Sequence, residues 1–374
     1  MKRRALLGAG LAAPWVTRSQ TQPAGWNATF AAWAEEFAVR QGSIVAMRQG
    51  RIVHASGIGG QQLAQRLPIW SLSKFITGTA VAQLIGEGRV ALDTPLGAAM
   101  PRTFAAARVP ADGPLGGLPL ALLLSHRSGL PTRIGADSVP GLRALINRMP
   151  PRQIGITEVQ ANLLSLRPVT TPGSAYAYSN ANFLLLGLML AEQRGRPYAE
   201  DIAARLLTPL EIRGAAMDPD WRVLDSTGGW RLSPAEYLAF LRAALGSTAL
   251  IPPAVARWMR DPTDKAIAAG SAVHYALGSL VRPVQAGANF FHSGSWGWTQ
   301  QAPHGLVAGA GGSRFVFAAD GTAWCAVFRS NLGDAASVAL DRRMWGPMRN
   351  PTDETSGDLF PALLREAPRA ASAG

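Results

Sequence analysis

The sequence predicts an α+β fold: a mostly antiparallel sheet flanked by helices, with an all-helical subdomain inserted into it. Three observations carry this expectation. Strand-like runs separated by turn residues lie toward both ends of the chain. The stretch between them carries helical patterns broken by Pro and Gly clusters. The 374 residues are 48% apolar, enough for one large packed globule. The sheet part is expected over about 25–91 and 223–350, the helical part over about 92–222, and a tail over 351–374.

Along the chain, Phe30, Ala34 and Phe37 recur at roughly helical spacing, and Gly42 ends that helix. Residues 43–48 and 51–56 are rich in β-branched side chains and are separated by Gln49-Gly50, the pattern of a hairpin. At Ser71 a run begins with Leu72, Ile76, Ala80 and Leu84 four residues apart and ends at Gly86 and Gly88, a helix with one buried face starting at the serine. Clusters at 111–119 and 149–151 punctuate the helical middle. Residues 277–282 and 289–293 add strand candidates. A second hairpin is clearer: 314–319, the Asp320-Gly321 turn, then 322–329.

The formal charge of +12 does not point to nucleic acid, because the cations are scattered and the longest basic run is Lys2-Arg3-Arg4. That run precedes an apolar stretch over 5–16 and small and polar residues up to 24, the layout of a secretory leader. The paired arginines resemble a twin-arginine signal, so residues 1–24 are expected to direct export to the periplasm. Pro14 and the shortness of the stretch argue against a membrane span. Cys325 is the single cysteine, which excludes an intramolecular disulfide and reads as a small buried hydrophobe. The five histidines, His54, His126, His274, His292 and His304, show no metal-ligand spacing, and no G-x-S-x-G is present, so no metal or cofactor is expected.

Chemistry concentrates at Ser71-Leu72-Ser73-Lys74. Residues three apart share a helix face, so Lys74 can reach the Ser71 hydroxyl, and a desolvated lysine can serve as a base where arginine cannot. Only three of the 36 basic residues are lysines, so a lysine inside an apolar helix calls for a reason. Tyr178-Ser179-Asn180 follows a Pro172-Gly173 turn and precedes the apolar run 183–190, a helix entry that can face a cleft. A tyrosine there can shuttle protons, and Asn180 can bond both lysine and substrate. His292-Ser293-Gly294 ends a strand-like run, and Gly294 allows close approach of a substrate to the strand backbone.

Taken in order, Ser71 with Lys74, Tyr178 with Asn180, and His292-Ser293-Gly294 resemble the S-x-x-K, Y-x-N and K/H-[ST]-G triplet of the class C serine β-lactamases and the related DD-peptidases and esterases. The likeness runs from about 43 to 331. It includes residues 123–131, LLSHRSGLP, where that family usually has threonines in place of Ser125 and Arg127, and residues 178–187, YSNANFLLLG. The resemblance implies a β-lactamase/transpeptidase-like fold and a two-step acyl transfer. Ser71 would attack a carbonyl, Lys74 and Tyr178 would manage its proton, and the N–H groups of Ser71 and Ser295 would hold the oxyanion. Asn180, His292, Ser293 and Gly294 would bind the substrate, a small molecule or a peptidoglycan-type compound with an amide, β-lactam or ester bond. A carboxylesterase and a penicillin-binding sensor that never turns over remain alternatives.

Departures from the pattern matter. Class C enzymes usually present lysine where His292 stands. As an imidazolium, His292 would bind a substrate carboxylate; as a neutral ring, it would hydrogen-bond the lysine-tyrosine network. Trp296 and Trp298 follow where that family often has small residues, to wall the cleft or to fill the core. His126, within the LLSHRSGLP segment, is expected to brace its loop.

Overall fold

The computed structural model describes residues 25–132, 141–303 and 305–366; the expected leader at 1–24 and residues 367–374 lie outside them. Strands β1 (Gly42–Arg48) and β2 (Arg51–Ile58) form the expected first hairpin. Strands β3 (Leu67–Pro68), β4 (Ala216–Met217) and β5 (Trp230–Leu232) form a small separate sheet. Two- and three-residue strands have no periodicity, so nothing in the sequence announced it. Strands β6 (His274–Ala276), β7 (Ser279–Val284), β8 (Gly287–Ala302), β9 (Gly305–Phe317) and β10 (Ala323–Phe328) complete the main sheet.

The main sheet is antiparallel, with seven strands in the order β2-β1-β10-β9-β8-β7-β6. Pairing of β1 with β10 joins the first and last strands of the chain inside it. Both faces are covered, as the unbroken burial along β10 and along β1 up to Met47 shows. Ile44, Ala46, Trp324 and Ala326 face the helices α1 (Trp26–Glu36) and Asp334–Arg349, packing on Trp26, Phe30, Trp33 and Leu340. Val45, Met47, Cys325 and Val327 face the larger core shared with the helical part of the chain. Cys325 is thus a small apolar core residue, as expected.

Three elements differ from the sequence reading. Strands β8 and β9 run well beyond 293 and before 314, pairing from Phe290↔Phe317 to Ala302↔Gly305. Gly294, Gly297, Gly311 and Gly312 dilute the alternation that would have revealed this. Helix α2 (Ser73–Gly86) begins two residues after Ser71 and is buried all round from Ser73 to Ala82, because it runs through the middle of the larger core. The segment 351–366 is no loose tail. Asp353 accepts from the N–H groups of Trp26 and Asn27, Asp358 accepts from Ile52, and Phe360 and Leu363 are buried. No described helix is long and apolar enough to cross a membrane.

Candidate active site

Ser71 sits in the 3₁₀ turn Trp70–Leu72 that leads into α2, and Lys74 lies one turn further on. The spacing delivers what it promised: Lys74 Nζ is 3.1 Å from Ser71 Oγ. Lys74 is fully buried and donates to the Thr227 carbonyl at 2.8 Å, with the rings of Tyr178 and Phe183 at 5.0 and 6.0 Å. No carboxylate pairs with it among the described residues. Burial therefore dominates and holds the amine well below the usual lysine range, which favours the uncharged form that a base beside the serine hydroxyl requires.

Tyr178 also reaches the nucleophile, its hydroxyl donating to Ser71 Oγ at 2.8 Å. Burial raises the phenol above its ordinary range, so it is a proton donor near neutral pH. Ser179 is the N-cap of the helix Asn180–Arg194, which places Tyr178 just outside the helix and Asn180 at its first position. Asn180 Oδ1 accepts from Thr227 Oγ1 at 3.0 Å, so Thr227 ties Lys74 by its carbonyl and Asn180 by its hydroxyl. Thr227 was not foreseen; a backbone carbonyl has no sequence signature.

Behind Tyr178 lies a polar brace. His126 is fully buried, its ring 4.3 Å from that of Tyr178, and its Nδ1 accepts from Ser179 N at 3.3 Å and Asn182 Nδ2 at 2.9 Å. Asn182 Oδ1 in turn accepts from Ser128 Oγ at 2.6 Å. Burial pushes His126 well below its ordinary range, so the ring is neutral and braces its loop, as the LLSHRSGLP segment suggested. Asn182 could have been noticed, since an Asn inside the run 181–190 must find a buried partner.

His292, Ser293, Gly294 and Ser295 lie within β8 rather than at its end. His292 is buried; Nδ1 meets the Ser293 carbonyl and Nε2 meets Tyr275 OH at 3.1 Å. A carbonyl only accepts, so Nδ1 carries the hydrogen and Nε2 accepts from the tyrosine. Burial, then the nearby Lys74 and Arg314, push His292 down to about 3. Of the two readings left open for this residue, burial and these contacts favour the neutral ring, with Tyr275 as its partner rather than Lys74 or Tyr178.

Gly294 brings β8 against the nucleophile. A Cβ there would stand 2.6 Å from the Ile69 carbonyl oxygen and 2.9 Å from Ser71 N, so no larger residue fits unless the strand moves. Ser295 follows, exposed, while Ser293 is half-buried. Beyond Phe291 the strand pairs only with β9 among the described residues. Gly294→Ala is expected to lower kcat/KM by about 10²-fold by spreading the Ser71 and Ser295 N–H groups. Activity within threefold of the parent, measured on folded protein, would refute that geometry. Trp296 is buried against Trp70; the side chain of Trp298 lies outside what is described.

The chain is similar to the D-aminopeptidase of Brucella ovis, 28% identical over 199 residues that cover 50% of this chain and 35% of the relative. It thus spans about a third of the length of the curated relatives it matches. In fold it is similar to a D-stereospecific amidohydrolase from Streptomyces sp., with TM-score 0.65, 22% identity, and coverage of 83% of this chain and 96% of that one. It is also similar to the octameric penicillin-binding protein homologue from Pyrococcus abyssi, with TM-score 0.65, 19% identity, and coverage of 87% and 78%. The family model described as Beta-lactamase matches residues 26–343, a span that holds every residue of the site above. The chain belongs to the Beta-lactamase family of serine hydrolases.

Proposed function

We propose that this chain is an amidohydrolase that forms an acyl-enzyme on Ser71 and cleaves amide bonds of D-configured amino-acid substrates. The observation that carries the reading is the Ser71 hydroxyl in contact with both a buried lysine amine at 3.1 Å, which no carboxylate pairs among the described residues, and a tyrosine hydroxyl at 2.8 Å. Lys74 takes the Ser71 proton as Oγ attacks the carbonyl carbon, and the oxyanion forms between the N–H groups of Ser71 and Ser295. As the C–N bond breaks, Tyr178 gives its proton to the departing amine and is reprotonated through Lys74. Water then attacks the ester carbonyl as the Lys74–Tyr178 pair takes its proton; the bond from the carbonyl carbon to Ser71 Oγ breaks, that proton returns to Oγ, and the carboxylic acid leaves.

Support for amides and for D-configuration comes from the similarity to a D-aminopeptidase and to a D-stereospecific amidohydrolase. A departing amine needs a proton in a way that a phenolate does not, which gives Tyr178 its place. The neutral His292 offers no charge to a β-lactam carboxylate, so penicillins are expected to be slow substrates. Turnover of D-alanyl and L-alanyl p-nitroanilides, nitrocefin and p-nitrophenyl acetate tests the reading. The D-anilide should exceed the L-anilide by at least about tenfold in kcat/KM. A preference for the L-anilide, or turnover of the ester alone, would overturn it.

His292 sets a second expectation. With its folded value near 3, the ring stays neutral at all working pH values. KM for a carboxylate-bearing peptide and for a neutral amide should therefore run in parallel between about pH 5.5 and 8.5. A tenfold rise confined to the carboxylate substrate would restore the cationic clamp.

A further inference from the structure

We infer that Trp70 and Trp296 are positioning residues that fix the separation of the two oxyanion-binding N–H groups, an inference that rests on the acyl-enzyme reading of Ser71. Those groups belong to elements far apart in sequence: Ser71 to the turn before α2, Ser295 to β8. Each is flanked by a tryptophan, for Trp70 precedes Ser71 and Trp296 follows Ser295. The two indoles stack with centroids 6.2 Å apart and planes 17° from parallel, and Trp221 tilts onto Trp296 at 5.5 Å. All three are buried. The stack therefore joins the residues immediately beside the two donors, and because both rings are buried, with Trp221 against one and Gly311 against the other, a change in the donors' spacing would have to disrupt that packing.

The backbone around the stack is adapted to it. Trp70 has φ +48°, a left-handed conformation that bulky residues rarely adopt unless their surroundings hold them. Glycine would take it freely, yet the chain carries its largest side chain there. Gly311, the cross-strand partner of Trp296 on β9, makes the room: a Cβ at 311 would lie 2.6 Å from Trp70 Nε1. The Trp70 indole N–H has no hydrogen-bond partner among the described residues, so stacking and packing hold the ring rather than a polar anchor. Beyond it lies a cavity of about 180 Å³ lined by Trp70, Trp221, Gly311, Asp218 and Arg231. With space there instead of a packed wall, loss of either indole frees the Ser71 turn to shift.

The test is a double-mutant cycle with D-alanyl p-nitroanilide. Trp296→Ala and Trp70→Gly should each lower kcat by about 10²-fold with KM within about threefold, because the oxyanion exists only in the transition state. The double variant should be about as impaired as the worse single one, since the stack works as one unit. Trp296→Phe should recover activity to within about threefold of the parent. Affinity for phenylboronic acid, whose tetrahedral Ser71 adduct places an oxygen between the same donors, should fall in step with kcat. The acid limb of the pH profile, set by Lys74, should not move.

Singles within threefold of the parent, or a double variant whose loss equals the product of the singles, would overturn the inference. If either truncated variant fails to fold, Gly311→Ala decides instead, because it keeps both indoles while displacing the Trp70 ring; an unchanged kcat there would also overturn it. Turnover that survives Ser71→Ala is a different result, which overturns the acyl-enzyme reading and this inference with it.

Discussion

Alanine at position 71 is expected to cut turnover of every amide, ester and lactam substrate by about 10⁴- to 10⁶-fold, the range lost when a serine enzyme loses its nucleophile. The hydroxyl is contacted by both the proposed base and the proposed proton donor, Lys74 at 3.1 Å and Tyr178 at 2.8 Å. The fold should survive. Lys74 keeps its bond to the Thr227 carbonyl, and Ser71 is only half-buried, so the stability change should stay within about 1 kcal/mol. Steady-state kinetics and a thermal melt on the same preparation check both halves. Residual activity above about one part in a hundred, in protein free of wild-type contamination, would show that another group attacks the substrate.

Lys74→Arg is the second large effect, a loss of at least about 10³-fold although the charge is kept. A guanidinium does not give up its proton near neutral pH, so it has no lone pair for the serine proton. It also suffers where the lysine does not. No carboxylate pairs with residue 74 among the described residues, and an unpaired buried cation that cannot neutralise itself costs several kcal/mol. Lys74→Met separates the two consequences: equally inactive, but folded at least as stably as the parent.

The pH dependence has a definite sign. Burial holds the folded amine below its unfolded value, so activity should fall as pH drops through that depressed value and the amine becomes protonated. The unfolded chain binds the extra proton between the two values, so the parent loses stability as pH falls from the unfolded value toward the folded one. Lys74→Met should remove that slope. Lys74→Arg activity within tenfold of the parent, or a Lys74→Met variant with the parent's acid limb, would count against Lys74 as the base.

How much of this was legible depended on whether a feature was local. Ser71 and Lys74 were readable because three residues along a helix always share a face. Tyr178 and Asn180 were readable because Pro172-Gly173 and the apolar run mark a helix entry. The state of His292 was not, since it depends on Tyr275, brought in by a three-residue strand, and on burial that only the packed sheet creates. For the same reason the Thr227 carbonyl and the link from Asn182 to Ser128 escaped notice: both join segments far apart in sequence. The outer parts of β8 and β9 were missed because glycines carry no pattern, although those glycines let Trp70 and the Ser71 turn lie against the sheet. Segment 351–366 looked like a tail because its anchors are single carboxylates, whose partners in α1 and β2 no window of sequence contains.

The central claim is a covalent intermediate on one particular serine. Intact-mass spectrometry of the protein treated with a fluorophosphonate and, separately, with a D-alanyl ester quenched in acid, followed by peptide mapping, tests it directly. A single adduct on Ser71, absent from Ser71→Ala and slow to form in Lys74→Met, is the expected result. An adduct on Ser73 or Ser179, or labelling that persists in Ser71→Ala, would contradict it.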